Sequence, residues 1–96
     1  MQSLSEIKTI LSSNRQMLVA KYGLKNIAIF GSYSRGENTE QSDIDIMVDF
    51  SRPIGIAFVD LADELEKILH AKVDLVSRNA IKPNYFRHIK AELNYV

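Results

Sequence analysis

The chain has 96 residues, which is enough for one domain with one hydrophobic core and too few for two. Hydrophobic residues make up 46% of the sequence and charged residues 25%, which excludes a disordered or fibrous chain. Twelve basic residues balance twelve acidic ones, so a long nucleic acid held through its phosphates is not an expected partner. There is no cysteine, no signal-like N-terminus and no apolar run of about 20 residues, so we expect a cytoplasmic protein outside the membrane.

The first third of the chain predicts a helix, a strand and a loop. Ser3 and Glu6 have the spacing of a capping box, and apolar residues then recur at helical intervals until Tyr22-Gly23. Asn26 to Phe30 reads N-I-A-I-F, which is typical of a short strand buried on both faces. Residues 31–42 are small and polar, with room for one helical turn and a loop.

A second strand is predicted where the sequence begins to alternate. The segment D-I-D-I-M-V-D-F alternates aliphatic residues with Asp43, Asp45, Met47 and Asp49. Successive side chains of a strand project to opposite faces. We therefore expect an aliphatic face anchored in the core and an exposed acidic face.

The rest of the chain predicts a helix, a third strand and a closing helix. After the break at Pro53, one helix face is formed by Phe58, Leu61, Ala62, Leu65, Ile68 and Leu69. Lys72 to Ser77 reads as a strand apolar enough to lie centrally in a sheet. Pro83 opens the last helix, whose core face would consist of Phe86, Ile89, Leu93 and Val96. This order of elements indicates an α/β (α+β) fold, a small β-sheet with flanking helices.

Asp43 and Asp45 are the first candidate site residues. Two residues apart on a strand, they point the same way with backbone positions roughly 6–7 Å apart. Neighbouring anions repel unless a cation compensates, and carboxylate oxygens suit Mg²⁺ or Mn²⁺. Taken alone, a D-x-D pair is far more often a solvated strand edge or turn than a metal site, so its context decides the interpretation.

Gly31-Ser32, directly after the first strand, is the candidate phosphate-binding turn. A glycine lets the backbone approach a phosphate, and amides at a helix start favour an anion. Arg35, one turn later, is placed to pair with phosphate oxygens. The alternatives are an ordinary strand-to-helix turn with Ser32 as its N-cap, and an arginine in solvent.

Asp74 is the third candidate, because an unpaired acid is out of place in an apolar strand. If its strand neighbours that of Asp43 and Asp45, three carboxylates converge in one cleft and could hold two metal ions about 3.5–4 Å apart. One ion would activate an acceptor hydroxyl and the other would hold a triphosphate. Asp74 would contact only the activating ion and help take the acceptor's proton.

Together, G-S-Y-S-R-G-E-N-T-E-Q-S-D-I-D-I and the later V-D-L-V resemble the signature of the DNA polymerase β-like nucleotidyltransferase superfamily. The resemblance implies a polymerase β-like core with a small mixed β-sheet, as a single domain over residues 1–96. Because nothing is left over for further domains, the chain is similar to the minimal nucleotidyltransferases (MNT) that act as antitoxins beside HEPN-domain toxins.

That resemblance implies transfer of AMP from ATP to a hydroxyl side chain, with tyrosine the expected acceptor, of a HEPN toxin. It implies two Mg²⁺ ions, with Mn²⁺ an alternative. The catalytic and metal-binding residues would be Asp43, Asp45 and Asp74, and the nucleotide-binding residues Gly31, Ser32, Arg35 and Ser42. The alternative is an antitoxin that neutralises its partner by binding alone, with vestigial acids.

The remaining aromatic and histidine residues receive no firm role from the sequence. We expect neither His70 nor His88 to lie in the cleft. Tyr33 and Tyr85 could stack on a base or meet a partner, although packing is the commoner role of such residues. The closing helix could leave apolar surface free for docking.

Overall fold

The computed structural model describes residues 2–96, which form a mixed sheet flanked by helices. The helices are α1 (Leu4–Tyr22), α2 (Ser32–Arg35), α3 (Ala57–Leu69) and α4 (Pro83–Ile89). The strands are β1 (Leu24–Phe30), β2 (Ile44–Phe50), β3 (Val73–Ser77) and β4 (Asn94–Tyr95). Short 3-10 turns span Arg78–Ala80 and Lys90–Glu92.

The sheet has the order β3-β2-β1-β4. β1 is antiparallel to both β2 and β4, whereas β2 is parallel to β3. The parallel pair needs a crossover, which α3 supplies. The expected fold class, a small mixed sheet with flanking helices, is confirmed.

The predicted boundaries of α1 follow from local chemistry and are confirmed. Ser3 Oγ accepts a hydrogen bond from the Glu6 amide at 3.1 Å, and the Glu6 carboxylate accepts one from the Ser3 amide at 3.2 Å. This reciprocal capping box satisfies amides that would otherwise be unpaired. At the other end, Gly23 has a φ of 69° and caps the helix in the left-handed conformation.

The main core lies between one face of the sheet and the helices α1 and α3. It contains the aliphatic face of β2 and the expected apolar face of α3, where Leu61, Leu65 and Leu69 are fully buried. β1 is also buried on both faces as predicted, since Ala28 packs in a second cluster on the opposite side of the sheet. The sheet is therefore a covered layer over most of its length.

The expectation that the acidic face of β2 is exposed is wrong for part of the strand. Met47 is only 1% exposed and packs with Phe30, Ile81 and Ile89. The second cluster forms because α4 and the segment before it fold over this face, which no local pattern reveals. Asp45, nearer the start of β2, is half-buried.

The closing helix is shorter than predicted. It ends at Ile89, and after a 3-10 turn the chain forms β4, which pairs Ala28 with Tyr95 and Ile29 with Asn94. The amide of Val96 also donates to the carbonyl of Ile27 at 2.9 Å. A continued helix would satisfy its own backbone but would leave the edge of β1 unpaired, whereas β4 satisfies both segments.

β3 lies at the edge of the sheet, so the prediction of a central strand is wrong. Asp74 is exposed there and bears no cost of deep burial. No helix within residues 2–96 has the length and apolar character needed to cross a membrane.

Candidate active site

The sheet register brings the three predicted acids to one place. β3 is the parallel neighbour of β2, as expected, and Asp74 is the direct partner of Asp45. Side chains at paired positions of adjacent strands project to the same face. Asp43 immediately precedes β2, two residues before Asp45, and so lies on that face as well. The acids therefore meet at the start of the parallel pair.

Asp45 is the most perturbed of these carboxyl groups. Its pKa is raised from 3.8 to about 6, chiefly by burial and then by the charge of Asp74 and a hydrogen bond with it. The charge of Asp43 raises the pKa further, whereas Arg35 lowers it. Burial and the two neighbouring carboxylates thus disfavour the charged form of Asp45 more than Arg35 favours it.

The three carboxylates on this face supply oxygen ligands of the kind that hard divalent cations prefer. They do not form a ready-made coordination group: within residues 2–96, no three His, Asp or Glu side chains are arranged to hold a metal. Asp45 and Asp74 instead share a hydrogen bond, which a bound cation would have to replace. Side-chain rotation would therefore be needed for metal binding.

Gly31 lies in the turn after β1 and brings its backbone into close contact with the acidic cluster. Phe30, the last residue of β1, pairs with Asp45 in the antiparallel register. Gly31 has a φ of 76°, and a Cβ built on it would lie 2.0 Å from Asp45 Oδ2. The glycine is thus required for close approach to Asp45, a reason that the sequence interpretation, which invoked a phosphate, did not include.

Ser32 and Arg35 are the first and last residues of α2. The N-cap of this turn is Gly31 and not Ser32, so the alternative role of Ser32 as a cap is wrong. Arg35 Nε donates to Glu37 at 3.0 Å, and its Nη1 donates to both carboxylate oxygens of Glu92 at 3.2 Å. The hydrogen bond with Glu37, and after it those with Glu92, raise the pKa of Arg35. The same bonds hold the positively charged guanidinium beside the acids.

Ser42 closes the loop that leads into Asp43. Its Oγ accepts a hydrogen bond from the Thr39 amide at 2.9 Å, and its own amide donates to the Thr39 carbonyl at 3.1 Å. Ser42 thus sets the path of the chain into β2. Its expected contact with a nucleotide stays a prediction.

A cavity of about 650 Å³ adjoins the site, and its lining includes Ser42, Asp43, Tyr33 and His70. His70 therefore lies in a cavity with Asp43, but the lining of this cavity includes neither Asp45 nor Asp74, and the expectation that neither histidine lies in the cleft of the three acids stays a prediction. His70 ends α3 in the left-handed conformation, with a φ of 52°, which turns the chain back toward the cavity. Tyr33 is 6% exposed, so it combines packing with a place in the cavity wall.

Glu92 is the site residue that sequence reasoning missed. Its Oε1 accepts a hydrogen bond from the Gly31 amide at 2.9 Å, in addition to the two contacts with Arg35. The residue lies 61 positions from Gly31, on a segment predicted to be helical. No local signal at Glu92 predicts this contact, because the folding of β4 against β1 creates it.

Comparison with known proteins places this geometry in a family. The sequence model of the protein family described as a nucleotidyltransferase domain matches residues 4–96 of this chain. A relative from Methanocaldococcus jannaschii, provisionally named a protein adenylyltransferase, is 48% identical over the full length of both chains. The protein adenylyltransferase MntA of Thermococcus cleftensis is 39% identical, with 100% of this chain and 98% of MntA covered.

Solved structures agree with the sequence relatives. A provisionally identified minimal nucleotidyltransferase superposes with a TM-score of 0.75 at 28% identity, covering 92% of this chain and 93% of its own. A chain from a complex of a tri-AMPylated Shewanella oneidensis HEPN toxin with its MNT antitoxin has a TM-score of 0.67 at 25% identity. That alignment covers 93% of this chain and 70% of the solved one. The chain therefore belongs to the nucleotidyltransferase family, as a homologue of the minimal protein adenylyltransferases.

Proposed function

We propose that this chain transfers AMP from ATP to a hydroxyl side chain of a partner HEPN-type toxin, with tyrosine as the acceptor, and thereby acts as its antitoxin. The observation that carries the proposal is the meeting of Asp43, Asp45 and Asp74 beside the Gly31 turn, in a chain of this family. The AMPylated HEPN toxin in the similar solved complex supports this choice of acceptor protein. The absence of cysteine and the use of ATP favour the cytoplasm.

In this proposal Asp43, Asp45 and Asp74 hold divalent metal, two Mg²⁺ ions or Mn²⁺ in their place. Bound metal would lower the pKa of the acceptor hydroxyl and offset the charge of the triphosphate. Asp45 is half-buried and lies between Asp43, two residues before it in the sequence, and Asp74, its partner in the parallel register. This position suits Asp45 to the centre of the ligand set.

The residues of the chain have distinct roles in the transfer. The amide of Gly31, with Ser32, Arg35 and Ser42, binds the phosphates and holds the α-phosphorus toward the acids. The acceptor oxygen forms a bond to the α-phosphorus, the bond from that phosphorus to the bridging oxygen breaks, and pyrophosphate leaves. Asp74, the exposed member of the Asp45–Asp74 pair, accepts the hydroxyl proton.

A partner would complete the shallow site and has surface on which to dock. Ile56, Val59 and Tyr85 are 87%, 58% and 51% exposed. Tyr85 lines an apolar cavity of about 680 Å³ whose lining includes Gly55 and Phe58, the chain neighbours of Ile56 and Val59, and none of the three acids. Apolar side chains in this arrangement are typical of a protein contact.

The second candidate is neutralisation by binding without catalysis. It rests on the exposed apolar side chains of Ile56, Val59 and Tyr85, which offer a docking surface and require none of the three acids. It would leave the partner unmodified while the complex still forms.

Intact-mass analysis of the partner separates the two functions. The chain is incubated with ATP, Mg²⁺ and the proposed HEPN-type partner, and the mass of the partner is measured. We expect a gain of one or more AMP groups with the native chain and none with Asp45→Asn. Asp49→Asn, on the same strand outside the cluster, is the matched control and should retain transfer. An unmodified partner that is still neutralised would establish the binding function instead.

A further inference from the structure

The donors proposed to bind phosphate are already occupied by a carboxylate of the same chain. Glu92 Oε1 lies 2.9 Å from the Gly31 nitrogen, and both its oxygens lie 3.2 Å from Arg35 Nη1. Carboxylate and phosphate oxygens both accept hydrogen bonds from such N–H donors, so they compete for them. Glu92 thus stands where the proposed function requires part of a triphosphate.

The segment that carries Glu92 is attached to the site by a small number of polar contacts. The Glu92 carbonyl accepts a hydrogen bond from Ser34 Oγ, and Asn94 Nδ2 donates to Ser34 Oγ and to the Glu92 carbonyl. β4 itself contributes two register pairs with β1. Leu93 and Val96 of the same segment pack against the two core clusters, so the backbone is anchored. The Glu92 side chain is 20% exposed and can leave its donors by rotation while its neighbours stay packed.

A bound triphosphate and Glu92 are incompatible at this position. One backbone N–H cannot serve two anions at full strength, and a retained carboxylate would add negative charge beside the phosphates and Asp45. Arg35 does not depend on Glu92 for its orientation, because its Nε remains bound to Glu37 at 3.0 Å. Departure of Glu92 would therefore free both donors and leave the guanidinium in place.

We infer that Glu92 is an intramolecular competitor of the nucleotide: its carboxylate holds Gly31 and Arg35 in the free protein and leaves them when a triphosphate binds. This inference rests on the proposed function. Its consequence is that the apparent association constant for ATP equals the intrinsic constant multiplied by the fraction of molecules in which Glu92 has left these donors.

Nucleotide binding by three forms of the full chain tests the inference. A non-hydrolysable ATP analogue with Mg²⁺ is titrated calorimetrically into the native protein, Glu92→Gln and Glu37→Gln. The glutamine at position 92 keeps the shape and removes the charge, so we expect roughly five- to tenfold tighter binding. Glu37→Gln is the matched control, since it removes the other anionic partner of Arg35 but leaves the Gly31 contact; we expect a change below about twofold. Thermal unfolding of each form confirms folding.

Hydrogen exchange in residues 90–96 of the native protein gives a second readout that does not depend on any variant. We expect exchange to accelerate when the analogue binds, because the segment loses the contacts of Glu92 with Gly31 and Arg35. Equal or weaker binding by a folded Glu92→Gln, or greater protection of the segment on binding, would show that Glu92 positions the donors and would overturn the inference while nucleotide binding stands. Binding by Glu92→Gln alone would support it. Failure of every form to bind would refute nucleotide binding in the proposed function, and the inference with it.

Discussion

Replacement of Gly31 by alanine tests the contact between the turn and the acidic cluster. The new Cβ would lie 2.0 Å from Oδ2, 2.9 Å from Cγ and 3.1 Å from Cβ of Asp45. The glycine also has φ and ψ angles of 76° and −151°, a region that side-chain-bearing residues rarely adopt. Gly31→Ala should therefore destabilise the fold and push the Asp45 carboxylate out of position.

The magnitude follows from two separable costs. The backbone conformation costs about 1–3 kcal/mol for a residue with a Cβ. Overpacking against Asp45 adds about 1–3 kcal/mol. Gly36→Ala is the matched control, because Gly36 has a similar φ of 73° with nothing within 4 Å of its Cβ position. It should lose only about 1–2 kcal/mol, the cost of the left-handed conformation.

The assay is thermal unfolding of both variants, together with transfer of labelled AMP to the partner. At about 4–8 °C per kcal/mol for a domain of this size, Gly31→Ala should unfold well below Gly36→Ala. Gly36→Ala should retain transfer, and Gly31→Ala should lose it even below its unfolding temperature. In the background of Asp45→Ala, which removes the two closest atoms, Gly31→Ala should cost less. Equal stability of the two alanine variants, or full activity of Gly31→Ala, would refute the reasoning.

Three further predictions concern the charges and one buried hydroxyl. Without metal at pH 7, Asp45→Asn should raise the unfolding temperature, because it removes a half-buried charge crowded by two other carboxylates, and should abolish transfer; a lower unfolding temperature would contradict the crowding. Because the folded-state pKa of Asp45, about 6, lies above its ordinary 3.8, its ionisation reduces stability progressively as pH rises through this window. The gain from Asp45→Asn should therefore disappear below about pH 4, and denaturant unfolding from pH 3.5 to 7.5 would show it; a pH-independent gain would exclude this cause. Tyr22→Phe should cost about 1 kcal/mol, measured by urea unfolding, because it removes the 2.5 Å bond to Glu64 that, after burial, helps to raise the pKa of Tyr22 to about 12. Lys21→Met, which breaks the exposed ion pair with Glu64 and the cation–π contact with the Tyr22 ring but leaves the Tyr22 hydroxyl bond, should cost less. The reverse order would show that the hydroxyl is not the stabilising partner.

The elements that sequence patterns predict well are those whose signals are local. The capping box at Ser3 and the glycine after Tyr22 bound α1, since each acts within one turn of chain. The 3.6-residue period of α3 is equally local and places its leucines in the core. The spacing of Gly31-Ser32 and the D-x-D pair likewise identifies the family, because it reflects chemistry carried by neighbouring residues.

The elements that were mispredicted depend on distant partners. The residues after Ile89 have helical spacing, yet they leave the helix to pair with the free edge of β1. Met47 follows the pattern of an exposed face, yet α4 covers it. Asp74 looks central by its apolar neighbours, yet its strand lies at the sheet edge. In each case packing between segments overrides a local preference worth less than about 1 kcal/mol per residue.

The sequence by itself determined which acids and which turn the candidate site would contain, because residue type and period decide which side chains share a face. The tertiary structure decided how those groups meet. The parallel register sets Asp74 beside Asp45, and the antiparallel one sets Gly31 against the same carboxylate. The return of the C-terminal segment brings Glu92 to Gly31 across 61 positions. The physical reason is that register and closure depend on hydrogen bonds and burial between remote segments, and these leave no periodic trace in the chain.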